Sequence, residues 1–200
     1  IGTEVAAKAP ADGHTMLLVA STFTMNPAVY PKLPFDTAKD FTAVTTILWQ
    51  PYWLSVHPSL PVASVKELID MARAKPGAIE YSSGGSGNAT HIAAERFASM
   101  AGIKLTHVPY RGVGPAIVAL LGGEVKLMFA SSVAVQPHLK TGKIKVLAVT
   151  GKKRVAAMPD VPTVDEAGVR GFEEGNWQMV LDPAGTPAKI VSRLNAEIVG

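Results

Sequence analysis

The sequence contains no cysteine, so disulfides, zinc–thiolate centres and cysteine nucleophiles are excluded. No apolar run approaches the ~20 residues a membrane helix needs; Met16-Leu17-Leu18-Val19-Ala20 is far too short. Charged residues are sparse at 18%, and 19 basic side chains nearly balance 16 acidic ones. The only tight basic run, Lys152-Lys153-Arg154, reads as a solvated turn rather than a nucleic-acid patch. The remaining net charge of +3 favours small anions without naming one. The chain starts at Ile1 with neither methionine nor signal sequence, so the expectation is processing or a segment in front, and the missing signal does not argue for cytoplasm.

Catalytic signatures are equally scarce. The five histidines His14, His57, His91, His107 and His138 include no i,i+4 pair, and no carboxylate stands in metal-ligand register with them. Around Ser86 the G-x-S-x-G spacing of a hydrolase elbow fails, because Asn88 stands where the second glycine belongs. No carboxylate pair suggests an acid–base dyad. Neither a metal nor a cofactor is expected.

What the chain does have is 48% apolar residues in a length of 200, enough for one large domain or two small lobes. Short Val-, Ile- and Leu-rich runs fall at residues 16–21, 41–48, 53–57, 79–82, 105–108, 125–129, 145–150 and 178–181. They alternate with helix-type segments, which predicts an α/β fold with a largely parallel sheet. Ser64 with Glu67, and Thr163 with Glu166, have capping-box spacing. Further helices are predicted over 89–100, stopped by Gly102, from Pro115 to Gly122-Gly123, and after Thr186-Pro187. Proline-rich connectors near Pro51, Pro58-Ser59-Leu60-Pro61 and Asp182-Pro183 mark candidate lobe boundaries.

The strongest local signal is Ser82-Ser83-Gly84-Gly85-Ser86-Gly87-Asn88-Ala89-Thr90-His91, between a predicted strand and a predicted helix. Glycines let backbone N–H groups turn toward a bound group, and a helix start adds unpaired donors and partial positive charge. No Gly-Lys-Ser/Thr follows and the G-x-G-x-x-G spacing fails, so a carboxylate suits the loop better than a nucleotide phosphate; the competing reading is a glycine loop that merely caps a helix. Ser21, Thr22 and Thr24 follow another predicted strand. Tyr110 and Arg111 end a third, Ala130, Ser131 and Ser132 a fourth. In parallel α/β sheets ligands sit outside such strand ends, although an ordinary Ser/Thr turn or a surface arginine explains each taken alone.

Taken in order, Ala11-Asp12-Gly13-His14-Thr15, Leu33-Pro34-Phe35-Asp36, Ser82-Ser83-Gly84, His107-Val108-Pro109-Tyr110-Arg111-Gly112, Leu147-Ala148-Val149-Thr150, Pro159-Asp160-Val161-Pro162-Thr163 and Pro183-Ala184-Gly185-Thr186-Pro187 resemble the extracytoplasmic receptors of the tripartite tricarboxylate transporter family, the Bug or TctC receptors. The resemblance implies a two-lobed periplasmic binding protein fold of type II, with lobe 1 from residues 1–57 and 177–200 and lobe 2 from 58–176. It implies a periplasmic monomer, neither membrane-embedded nor bound to nucleic acid, that closes on a small carboxylate and passes it to a permease without catalysing a reaction. Relative to the family the chain is expected to be shortened at both ends.

Carried over residue by residue, the resemblance points to Ser21, Thr22, Thr24, Ser83, Gly84, Gly87, Asn88, His91, Tyr110, Ala130, Ser131 and Ser132 as ligand residues. Many family members have aspartate where this chain has Ala130, which implies a ligand without an amine there, such as a dicarboxylate or an aromatic acid. Two alternatives from other classes are a serine hydrolase using Ser83 or Ser86 with His91, and a sensor that reports occupancy to a signalling partner.

Overall fold

The computed structural model describes residues 1–30 and 32–200. The chain divides into two compact units, Gln50–Gly175 and the combination of Ile1–Trp49 with Asn176–Gly200.

In the Gln50–Gly175 unit the sheet order is β6-β2-β5-β3-β4. Its strands are the second half of β2 (Phe41–Val56), β3 (Glu80–Ser83), β4 (Thr106–Pro109), β5 (Leu127–Ser131) and β6 (Lys145–Val149). Two of the predicted crossovers, from β3 to β4 and from β4 to β5, hold: β3 runs parallel to both β4 and β5. Strand β2, however, is antiparallel to β5 and β6, so the sheet is mixed rather than largely parallel. Direction depends on pairing across the chain, which local composition does not encode. The two runs predicted at 41–48 and 53–57 are one strand passing through Pro51. Pro51 is tolerated because the ladders to β5 and β6 begin at Tyr52 and Trp53, so its missing N–H costs no bond there.

Apolar clusters cover both faces of this sheet. On one, Leu54, Tyr81, Leu127 and Phe129 pack with helices α3 (Val65–Ala74) and α4 (Ala89–Ala101). On the other, Trp53, Met128, Ala130 and Val149 pack with α5 (Val113–Gly122) and α6 (Ser132–Leu139). The Ser64 capping box closes at both ends: Glu67 N–H donates to Ser64 Oγ at 3.2 Å and Ala63 N–H to Glu67 Oε2 at 2.8 Å. Thr163 and Glu166 also bond reciprocally, at 3.0 and 2.9 Å, but the segment that follows is a run of turns, not a helix. Helix α6 was not predicted, since a β-branched start and Pro137 inside it argue against one.

In the other unit, β1 (Leu17–Ala20) pairs antiparallel with β7 (Gly175–Pro183), and β7 lies next to β2. Helix α1 (Gly2–Ala7) precedes them, a 3-10 turn spans Ser21–Met25, and α2 covers Asn26–Val29. Phe23 is the centre of the core here, with Phe41 edge-on at 5.4 Å and Phe35 stacked at 6.5 Å. The last helix, α7 (Ala188–Val199), is tied down by Asn195 Nδ2 donating to the Val44 carbonyl at 2.8 Å. Gly13 has φ +80, and a Cβ there would lie 2.3 Å from Ile190 Cγ2; a side chain would push α7 away.

Candidate functional site

Three consecutive crossovers build the candidate site. Strands β3, β4 and β5 are neighbours in the order β4-β3-β5 and point the same way. Each runs within a few residues into a helix: β3 into α4, β4 into α5 and β5 into α6. Three helix N-termini therefore stand along one sheet edge, each contributing unpaired N–H groups and partial positive charge. Gly112 caps α5 and Ser131 caps α6, and neither helix has a side-chain cap bond. The predicted residues Ser83, Gly84, Gly87, Asn88 and His91, with Tyr110, Ala130, Ser131 and Ser132, all fall on these three strand-to-helix turns. Ser21, Thr22 and Thr24 belong to the other unit, in the 3-10 turn directly after β1.

The glycine loop is held mostly by its own bonds. Gly84 N–H donates to Thr90 Oγ1 at 3.0 Å, and that hydroxyl donates to Asn88 Oδ1 at 3.0 Å. Gly85 N–H reaches Ser83 Oγ at 3.1 Å, Asn88 N–H the Gly85 carbonyl at 3.1 Å, and Gly87 N–H His91 Nδ1 at 3.2 Å. The amides of Gly84 and Gly87 are thus spent inside the loop. Free of partners among the described residues are the Ser86 and Ala89 N–H groups, the Ser86 hydroxyl and Asn88 Nδ2. Gly85 adopts φ +125, with the Tyr110 carbonyl 3.3 Å from where a Cβ would stand; only glycine takes this turn without strain.

Asn88 is the N-cap of α4, its Oδ1 accepting from Thr90 N–H at 3.0 Å. Asn88→Ala is expected to lower stability by about 1 kcal/mol, read as a lower midpoint in urea with an unchanged slope.

Beneath the loop lies a cluster that local sequence did not reveal. His107 Nε2 sits 2.6 Å from Ser83 Oγ. The rings of His91 and His107 stack at 4.0 Å between centroids, and Tyr81 stacks on His107 at 4.9 Å. The Tyr81 hydroxyl donates to Glu95 Oε1, while His91 Nε2 lies 4.0 Å from the same oxygen. Burial, then the Glu95 carboxylate, hold the Tyr81 hydroxyl far above its ordinary value, so it remains a donor. Burial and the neighbouring His91 hold His107 below 6.5, with Glu95 pulling the other way.

Tyr110 Oη reaches Glu124 Oε2 at 3.3 Å, and Arg111 is exposed. Ala130 is fully buried, opposite Trp53 across the β2–β5 pair. Among the described residues, no group of histidines and carboxylates forms a metal-binding cluster, and no helix is long and apolar enough to cross a membrane.

Comparison with known proteins gives a consistent result. A family model described as the tripartite tricarboxylate transporter family receptor matches residues 1–199. A protein from the tcbD-tcbE intergenic region of Pseudomonas sp. (strain P51) is 37% identical over 199 residues, 99% of this chain and 59% of its own length. Protein BugT of Bordetella pertussis (strain Tohama I) is 34% identical over 200 residues, 99% of this chain and 61% of its own. Among solved structures, R. palustris Rpa4515 with adipate has 40% identity and a TM-score of 0.84, covering 98% of this chain and 66% of that one. MatC (Rpa3494) from Rhodopseudomonas palustris with bound malate has 31% identity and a TM-score of 0.80, covering 99% and 68%. The chain spans about three fifths of the length of the curated relatives it matches, 59% and 61%.

Proposed function

The chain belongs to the tripartite tricarboxylate transporter receptor family, and on that premise we propose that it is the ligand-holding part of a periplasmic solute-binding protein. It takes a small carboxylate, releases it unchanged and hands it to a membrane permease. The observation that carries this reading is the common edge of β3, β4 and β5, where three helix N-termini stand side by side. Such an edge stabilises a carboxylate through N–H donors and helix dipoles without a metal or a nucleophile. The donors proposed to meet the acid are the free groups of Ser86, Asn88 and Ala89 and the open first turns of α5 and α6, beside Ser131 and Ser132. Ser21 and Thr22 are proposed as hydroxyl donors in the other unit, where Thr24 Oγ1 is spent on the Ser21 carbonyl at 3.0 Å and is proposed to shape the turn.

The relatives' ligands support a dicarboxylate: adipate is bound to Rpa4515 and malate to MatC. The test is a thermal-shift screen of the chain against mono-, di- and tricarboxylates, aromatic acids and amino acids. An acid present at ~100 times its Kd stabilises the folded state by about 2.7 kcal/mol, so a dicarboxylate is expected to raise the melting temperature by several degrees. A folded sample unmoved by every acid counts against the proposal.

One observation favours a second reading. Ser83 Oγ and His107 Nε2, 2.6 Å apart, have the spacing of a nucleophile and its base. Ser83 is fully buried, however, and its hydroxyl already accepts the Gly85 N–H. Ester hydrolysis by the purified chain, abolished by Ser83→Ala, would establish the hydrolase instead.

A further inference from the structure

The glycine loop is fastened near both ends to one stacked pair of imidazoles. At its start Ser83 Oγ contacts His107 Nε2 at 2.6 Å; near its end Gly87 N–H donates to His91 Nδ1 at 3.2 Å. The two rings lie 4.0 Å apart and 22° from parallel. An imidazole accepts a hydrogen bond only through an unprotonated nitrogen, so the Gly87 bond requires His91 to be neutral, with its proton on Nε2. A second proton on His91 removes the acceptor at Nδ1 and sets a cation against the His107 ring.

We propose that His91 and His107 form a proton-sensitive strap: His91 is a positioning residue that holds the glycine loop in its binding shape only while neutral, and acid weakens the grip on the carboxylate. This rests on the receptor reading above and changes the part His91 plays in it, from touching the ligand to shaping the loop that does.

The titratable groups around the pair are few. From β3 come Tyr81, stacked on His107 at 4.9 Å, and the Ser83 hydroxyl; from α4 comes Glu95, whose Oε1 is 4.0 Å from His91 Nε2; β4 supplies His107 itself. Arg96 of α4 is engaged elsewhere, with Glu174 at 3.0 Å. Two charges on rings stacked this closely oppose each other. One proton on the pair is therefore the switching event, and histidine is the side chain suited to take it up in mild acid.

Two variants separate positioning from packing. His91→Asn places an amide oxygen close to where Nδ1 accepts; His91→Phe keeps a flat ring against His107 but offers no acceptor. With adipate as the probe, followed by calorimetric titration from pH ~7.5 to ~5.5, wild-type affinity is expected to fall severalfold with acid. His91→Asn should bind nearly as well as wild type at the upper pH and lose that pH dependence. His91→Phe should bind about three- to tenfold more weakly, the worth of one hydrogen bond. Equal binding by the Phe and Asn variants, or an unchanged pH profile in His91→Asn, overturns the strap and leaves the receptor reading intact.

A measurement on the wild-type chain without any acid keeps the inference testable by itself. The Gly87 amide proton resonance should titrate together with the His91 ring, and its hydrogen exchange should quicken as that ring protonates. A Gly87 amide indifferent to the His91 titration overturns the strap whether or not any carboxylate binds.

Discussion

Replacing Phe129 by alanine is expected to cost about 3–5 kcal/mol, which lowers the melting temperature of a chain this long by about 6–20 °C. Phe129 is fully buried in β5, where its ring meets Phe97 at 5.5 Å and Phe172 at 6.4 Å; Phe97 and Phe172 meet at 6.0 Å. The three rings join a strand, helix α4 and the segment after Thr163, none of them neighbours in sequence. Truncation leaves a cavity walled by rigid rings and strands, which collapse little, so the cost falls at the upper end for a core phenylalanine. Phe129→Leu, which keeps most of the volume, should recover more than half of the loss in the same thermal scan. A drop of only a degree or two in Phe129→Ala would mean that this core is looser than its packing indicates.

Asp182→Asn is expected to act in the opposite direction and stabilise the chain at neutral pH, because it removes the charge that burial penalises. Asp182 is fully buried, just past the β1–β7 ladder, and neither carboxylate oxygen has a hydrogen-bond partner among the described residues. Burial raises its pKa above the ordinary 3.8, because desolvation penalises the charged form. The folded state therefore holds the proton more tightly than the unfolded chain does. This group's contribution is at its best below the unfolded value of 3.8 and is lost as pH rises through the folded value. The advantage of Asp182→Asn should accordingly be largest near neutrality and shrink toward pH ~4. Thermal melts of both proteins across that range check it; a destabilising substitution at neutral pH, or a gap that does not change with pH, contradicts the account.

Features written in short stretches of sequence were the legible ones. Ser64 and Glu67 lie three residues apart and bond as that spacing implies, and Gly102 ends α4 in the left-handed conformation expected of a stop. The strand-to-helix turns at Ser83–Asn88 and Tyr110 were likewise readable from serines, glycines and apolar runs, whereas at Ala130–Ser132 only the end of the strand was legible. What escaped depends on residues far apart in the chain. His107 is 24 residues from the Ser83 it touches, and nothing around either position signals the contact. The stacking of His91 on His107, the antiparallel placement of β2 beside β5 and β6, and the burial of Asp182 are likewise set by which elements become neighbours. The glycine loop was legible as a loop, but not as one whose amides at Gly84 and Gly87 are spent on Thr90 and His91. A pattern of glycines states what a backbone can do and leaves open which partners it chooses.

The central claim is that the edge of β3, β4 and β5 holds a carboxylate, and its most direct test is an amide NMR titration of the labelled chain with adipate. Saturable shifts are expected at Ser86, Asn88 and Ala89, in the first turns of α5 and α6 and around Ser21 and Thr22, while α3 and the α7 helix stay still. Saturable binding that leaves the three turns after β3, β4 and β5 unmoved would contradict it.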